Sequence, residues 1–383
     1  MNPFQYLASL SPWTGAVSSG GGALGGAIFA MNGSSLTSSG PVTFSGNTLD
    51  ASDFSASQAG ADMFLQGNGN VTFDMQNDTV TFGSSISDEA GAISAVLASM
   101  VYSGNGPDGL PQGGGSGLWD LILTNGTLVL NGNNSLGGTI QIGGGTLQLG
   151  AANALQYAQA IQFGTTSQTA TFTKVGVLQY AVGNSYDYSG QFSGGITPIA
   201  IDLNDNDVTF ASNIASSNTE GLIVQDSSTA ANGVLTLLGP QSFIGGITVN
   251  SGGIDLSTYS FDSDGKTSAS APDVSIDQGG TIMVQPTQSS APAVTTGALS
   301  LTSDSTLVVS AYGTLAPTSA TLSGDITVTF VGTPTNGTTY TLITSSGTIS
   351  TSGVTWTVPP QFSLPTVQAS NGTCTLTIAC TSP

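Results

Sequence analysis

Between Gly126 and Gly150 the chain alternates apolar and polar positions in three short bursts, TLVL, TIQI and TLQL, with glycines between them. Leu128 and Leu130 fall on one side of an extended segment, and Ile140 with Ile142 and Leu147 with Leu149 repeat the arrangement. Period-two alternation bounded by Gly-Asn and Gly-Gly turns predicts half-buried β-strands. The step from Gly126 to Gly145 is 19 residues, the length of one coil of a solenoid.

The same phrase returns. Residues 232–256 align without gaps on 125–149, with 10 of the 25 positions identical, across an offset of 107 residues. Fainter echoes stand at 274–284 (VSIDQGGTIMV) and 299–309 (LSLTSDSTLVV). Filler would not keep inward-facing positions over that separation, so the phrase reads as a structural repeat. A single unit of this kind cannot bury its apolar face, whereas stacked units share one continuous core. Coils of about 20 residues stacking at roughly 4.8 Å would make a rod some 70–90 Å long.

Residues 126–155, GTLVLNGNNSLGGTIQIGGGTLQLGAANAL, resemble the autotransporter-associated β-strand repeat. The segment 178–214, with LQYAVGNSYDYSGQF and IAIDLNDNDVTFASNI, resembles the stretch that usually precedes such a repeat. GGAIFA (25–30) and FSGN (44–47) are similar to short motifs of chlamydial polymorphic membrane proteins, and TTYTLITSSGTI (338–349) to a passenger end region. The resemblance implies a right-handed parallel β-helix, exported and displayed at the cell surface. Two features depart from that pattern: MNPFQYLASLSPW lacks the basic and apolar regions of a secretory signal, and no membrane barrel follows TIACTSP. A released passenger, a passenger-like standalone protein or a fragment is therefore expected.

Elsewhere the pattern changes. Residues 1–16 carry Phe4, Tyr6, Leu7, Leu10 and Trp13, an apolar set that would either cap the open end of the solenoid or dock into the next subunit. Residues 17–102 read as a first solenoid stretch ending in a helix near 88–102, where Ile93, Val96, Leu97, Met100 and Val101 follow a Ser/Asp N-cap at helical spacing. Residues 103–117 form a Gly/Pro linker, 118–316 a main solenoid, and 317–383 a C-terminal β cap or small β-sandwich. The predicted class is thus all-β: a parallel β-solenoid with one helical insertion.

Charge narrows the function. Of 383 residues only two are Lys or Arg, against 22 Asp or Glu and no His, for a net charge of −20. Phosphate backbones need cations to neutralise them, so nucleic acid is excluded as a partner. No apolar run is long enough for a transmembrane helix. The carboxylates should oppose lateral association at neutral pH, and acid or divalent cations should relieve it.

Candidate chemistry is sparse. Asp202, Asn204 and Asn206 stand at calcium-loop spacing in DLNDND, but Asp207 occupies the position that needs glycine and no acidic residue stands at the twelfth. A solvated turn and a calcium site are the two readings; no other cofactor is called for. Without His, an imidazole triad is excluded; carboxylate-only glycoside hydrolysis survives in principle, but nothing singles out a pair, and Glu89 and Glu220 are the only glutamates. Cys374 and Cys380 share parity with Leu376 and Ile378 in CTLTIAC. Along a strand their thiols would lie roughly 20 Å apart, beyond disulfide reach. They are either buried apolar thiols or reach a bridge through a bend or a neighbouring subunit. The sequence leaves two binding-class expectations: a self-associating subunit of an extracellular filament, sheath or layer, docking through the Phe4–Trp13 and Cys374–Cys380 ends, or an adhesin-like passenger presenting its flank to another cell.

Overall fold

A computed structural model describes residues 23–31, 35–49, 58–92, 117–164, 175–262, 270–277 and 279–381. The 1–16 segment with its five apolar residues, residues 93–102 of the expected helix and the expected linker up to residue 116 lie outside them. Strands dominate the described chain, and all but the last few pair in parallel register, as the stacked repeat predicts. It divides into two compact units, 1–197 and 198–383.

In the first unit the chain climbs by parallel rungs. Ile28–Ala30, Met63–Leu65 and Ile86–Asp88 form one three-stranded ladder, with Ile28 beside Met63 and Met63 beside Ile86. The long strands Gly69–Phe82 and Trp119–Leu130 run beside each other with register shifts near Asp74, so each serves two faces. Past that corner, Leu121–Leu123 pair with Ile140–Ile142, while Thr127–Leu130 pair with Thr146–Leu149. The corner falls at Gly126, with φ +81°, and recurs one coil later at Gly145, with φ +71°. A Cβ on Gly145 would lie 2.2 Å from the Gly126 carbonyl oxygen, so stacked corners at this spacing admit only glycine. The alternation then buries Leu121, Leu123, Leu128, Leu130, Ile140, Ile142, Leu147 and Leu149 completely or nearly so. Each such side chain contributes about 1.5–3 kcal/mol by burial, and the coils share that core.

The second unit alternates between two parallel ladders. One runs Ile199–Asp202, Leu222–Gln225, Ile247–Val249, Val274–Ile276, Val294–Leu301 and Leu315–Leu322. The other runs Val208–Phe210, Val234–Gln241, Gly253–Phe261, Thr281–Val284, Ser305–Ser310, Gly324–Val331 and Val354–Thr357. Here the 107-residue repeat becomes visible as register. Leu128 stands beside Leu147 in the first unit, and their counterparts Leu235 and Ile254 stand beside each other in the second.

Parallel pairing continues beyond residue 317, where the sequence places the start of a separate cap, up to Thr327 beside Thr357. Antiparallel pairing enters only at the end: Thr373–Ala379 lies between Thr339–Ser345 and Thr366–Ser370. Phe330, Tyr340 and Phe362 pack under this hairpin, with Phe330 at 4.8 Å from Tyr340 and 4.9 Å from Phe362 between ring centroids. The helix expected over 88–102 is described only for its first turn, 89–92. Asp88 caps it as the sequence predicts, its Oδ1 accepting the Gly91 N–H at 2.6 Å.

Candidate functional site

The polar chemistry of the described residues is turned inward, on the backbone of neighbouring coils. Both lysines lie outside the described residues, so no Lys or Arg side chain takes part in the described fold. Its buried carboxylates are held by amide groups instead. Asp88, fully buried, accepts N–H groups from Gly91, Trp119, Gly137 and Gly138, at 2.6 to 3.2 Å, across as many as 50 residues of sequence. Burial pushes its carboxyl up to about 6, against the lowering pull of those four backbone donors. Asp62, also fully buried, accepts from the Asn47 side chain at 2.8 Å and the Ser84 N–H at 2.7 Å. Glu89 accepts the Gly67 N–H through Oε2 at 3.0 Å, while its buried Oε1 has no hydrogen-bond partner.

Amide side chains do the same work. Asn134 accepts the Ile86 N–H at 2.8 Å and donates to the Ala154 carbonyl at 3.1 Å, linking three successive coils. Asn184 donates to Leu149 and Ala151, and Gln191 donates to Leu155, Gln156 and Ala158. Gln148 and Gln179, register partners on neighbouring coils, join side chain to side chain at 2.6 Å. In the second unit Asp226 accepts the N–H groups of Asp205, Ser228 and Gly233. Burial opposes its charge, yet these bonds and one from the Ser228 side chain hold it below the usual carboxylate range.

The three residues at calcium-loop spacing meet in one turn. Asn204 and Asp205 carry positive φ, at 46° and 65°. Asp202 Oδ1 accepts the N–H groups of Asn204 and Ser227, and Asn206 donates its amide to the Leu203 and Asn204 carbonyls. An oxygen aimed at N–H donors and an amide aimed at carbonyls build a turn; a calcium ion requires oxygens turned toward a common centre. Among the described residues no group of three or more His, Cys, Asp or Glu is placed to hold a metal ion. Glu220 is exposed and accepts the Thr219 hydroxyl, whereas Glu89 is buried. Two narrow packing gaps, with almost no room for water, lie in the apolar interior of the first unit, among Met63, Val71, Phe73 and Leu121 and among Leu36, Val42, Val80 and Phe82.

Cys374, near the start of the last strand, is half-buried and Cys380, just past its end, is buried; no disulfide joins them. Leu376 and Ile378 between them are buried, as their shared parity predicts. The neighbouring strand Thr366–Ser370 went unnoticed in the sequence, and it is the most exposed strand described: all five residues face solvent. Among the described residues it pairs on one side only, with Thr373–Ala379. The Asn371-Gly372 dipeptide, with φ of 50° and 78°, makes the tight turn between them and was the available signal.

No protein-family model matches the chain, and comparison with curated proteins gives no match.

Proposed function

We propose that this chain is a non-catalytic structural protein, an extracellular β-solenoid that associates with copies of itself in a surface filament, sheath or layer. The observation that carries this reading is the open strand Thr366–Ser370 beside the end of a parallel stack, an edge that offers backbone donors and acceptors to another chain. The inward use of the described buried carboxylates and amides supports it, since those groups are committed to holding coils together. The net charge of −20 sets the condition under which copies approach. Acid or divalent cations would lower the repulsion between them.

Negative-stain electron microscopy of the purified chain at pH 4 and pH 8 tests the proposal. Uniform filaments or sheets at either pH are the expected result. Isolated particles at both would overturn it and favour the adhesin-like reading, which the resemblance of residues 126–155 supports and in which the flank of the stack meets another cell.

A further inference from the structure

We infer that Thr366–Ser370 is a two-fold self-pairing edge, on which a second copy of this chain adds the same strand in antiparallel orientation. The inference rests on the self-association reading and names the surface and register by which it would occur.

Hydrogen-bond parity decides which groups of the edge are open. In the hairpin closed by Asn371-Gly372, Ser370 is opposite Thr373, Gln368 opposite Thr375 and Thr366 opposite Thr377. A two-residue turn makes the closing pair a hydrogen-bonded one, so Thr366, Gln368 and Ser370 spend their backbone groups inside the hairpin. The bonds around it agree. Ala379 and Thr381, of the same parity as Thr373, bond toward Ser363 and Gln361, whereas Cys380 bonds toward Thr338 and Gly337. The backbone groups of Val367 and Ala369 therefore point away from the hairpin, to the open side.

An antiparallel copy centred on Gln368 satisfies all of them at once. Val367 would face Ala369 of the second copy and Ala369 would face its Val367, each a hydrogen-bonded pair, with the two Gln368 residues opposite one another on the axis. Such a contact is isologous: the same patch serves both copies.

Charge points to a second copy as the occupant. From Ile326 to Pro383 the sequence has no Asp, Glu, Lys or Arg, in a protein of net charge −20. Two like-charged bodies meet at least cost through their uncharged parts, and this edge lies within such a part. Proteins usually guard open edges with lysines, inward charges or bulges, and none occurs within Thr366–Ser370. The partly exposed Val367 and the exposed Leu364 add apolar area beside the edge. A two-fold contact closes on itself, so a filament would need a second, different contact as well.

The test uses the full chain in sedimentation velocity. Ala369→Pro removes an outward N–H while sparing the hairpin ladder, and the dissociation constant should rise about thirtyfold, since each copy loses one bond and the pair loses two. Gln368→Glu and Gln368→Lys should each dissociate the pair, because like charges would stand opposite on the axis, and mixing the two variants should restore it. Far-UV circular dichroism matching the wild type shows that the variants fold. Association unchanged in Ala369→Pro and in both Gln368 variants overturns this edge while leaving self-association standing. A wild-type chain that stays monomeric at pH 4 and pH 8 overturns both.

Discussion

The Gly137 N–H points between the two carboxylate oxygens of Asp88, 2.9 Å from each, across 49 residues of sequence. That contact states the logic of the first unit in miniature. A buried anion normally demands a cation or a set of hydrogen-bond donors. With no Lys or Arg among the described residues, backbone amides from three separate stretches, at Gly91, Trp119 and Gly137-Gly138, supply the donors. The carboxylate thereby fastens the start of a helix, a strand and a turn to one another.

Replacing Asp88 should therefore loosen several coils together. Asp88→Ala leaves buried N–H groups unpaired, at about 1–3 kcal/mol for each that finds no water. Asp88→Asn keeps the shape and removes the titration. The folded carboxyl, at about 6, stands above its ordinary 3.8, so between these values the folded chain holds more protons than the unfolded one. Stability from this group is then full below 3.8 and declines as pH rises through 6, by on the order of 3 kcal/mol. Urea unfolding from pH 4 to pH 7 should show the wild-type advantage over Asp88→Asn shrinking. An advantage that stays constant would refute the assignment.

Glycine at the stacked corners is required by two constraints that a substitution can separate. Gly145 has positive φ and would place a Cβ 2.2 Å from the Gly126 oxygen, whereas Gly183 has φ +85° and open space around it. Gly183→Ala should cost only the left-handed conformation, about 1–2 kcal/mol. Gly145→Ala adds a collision with backbone and should cost more in thermal unfolding. Equal costs at the two sites would show that close stacking contributes nothing at Gly145.

The repeat was legible because burial on one face of a strand writes itself as period-two alternation. TLVL, TIQI and TLQL became strand segments at those positions, and the offset of 107 residues carried their register into the second unit. The Asp88 cap was legible for the same local reason, three residues before Gly91. Its reach to Trp119 and Gly137 was not. Coil length varies, from 19 residues between Asp120 and Thr139 to 50 between Val71 and Leu121, so composition cannot say which residues come to lie above which. The closing hairpin was half legible: alternation in CTLTIAC gave the buried Leu376 and Ile378, but alternation is blind to strand direction. DLNDND offered calcium spacing, and only the backbone donors around Asp202 show its oxygen engaged in a turn.

Neighbouring rungs should be energetically coupled. Leu147 and Leu178 are register partners, both fully buried. Each truncation to Ala should cost about 2–5 kcal/mol, and the double variant should depart from additivity by about 0.5–3 kcal/mol because the two cavities share a wall. A double-mutant cycle by chemical denaturation that closes to within a few tenths of a kcal/mol would place the two side chains in separate environments.

Asp226 should respond to pH with the opposite sign to Asp88. Its carboxylate is held below the ordinary range by Ser228, Gly233 and Asp205, whose hydrogen bonds outweigh the effect of burial. A group whose folded value is depressed stabilises above its unfolded value, and that contribution is lost as pH falls through the folded one. Asp226→Asn should thus be less stable than wild type at pH 7 and approach it in acid, where the wild-type carboxylate also becomes neutral. The same acid titration lowers the repulsion among copies, so assembly and unfolding must be read separately, by light scattering and by tryptophan fluorescence on the same samples. If the Asp226→Asn deficit persists undiminished into acid, the hydrogen bonds at Gly233 and Asp205 do not depend on the charge, and the turn is held by shape alone.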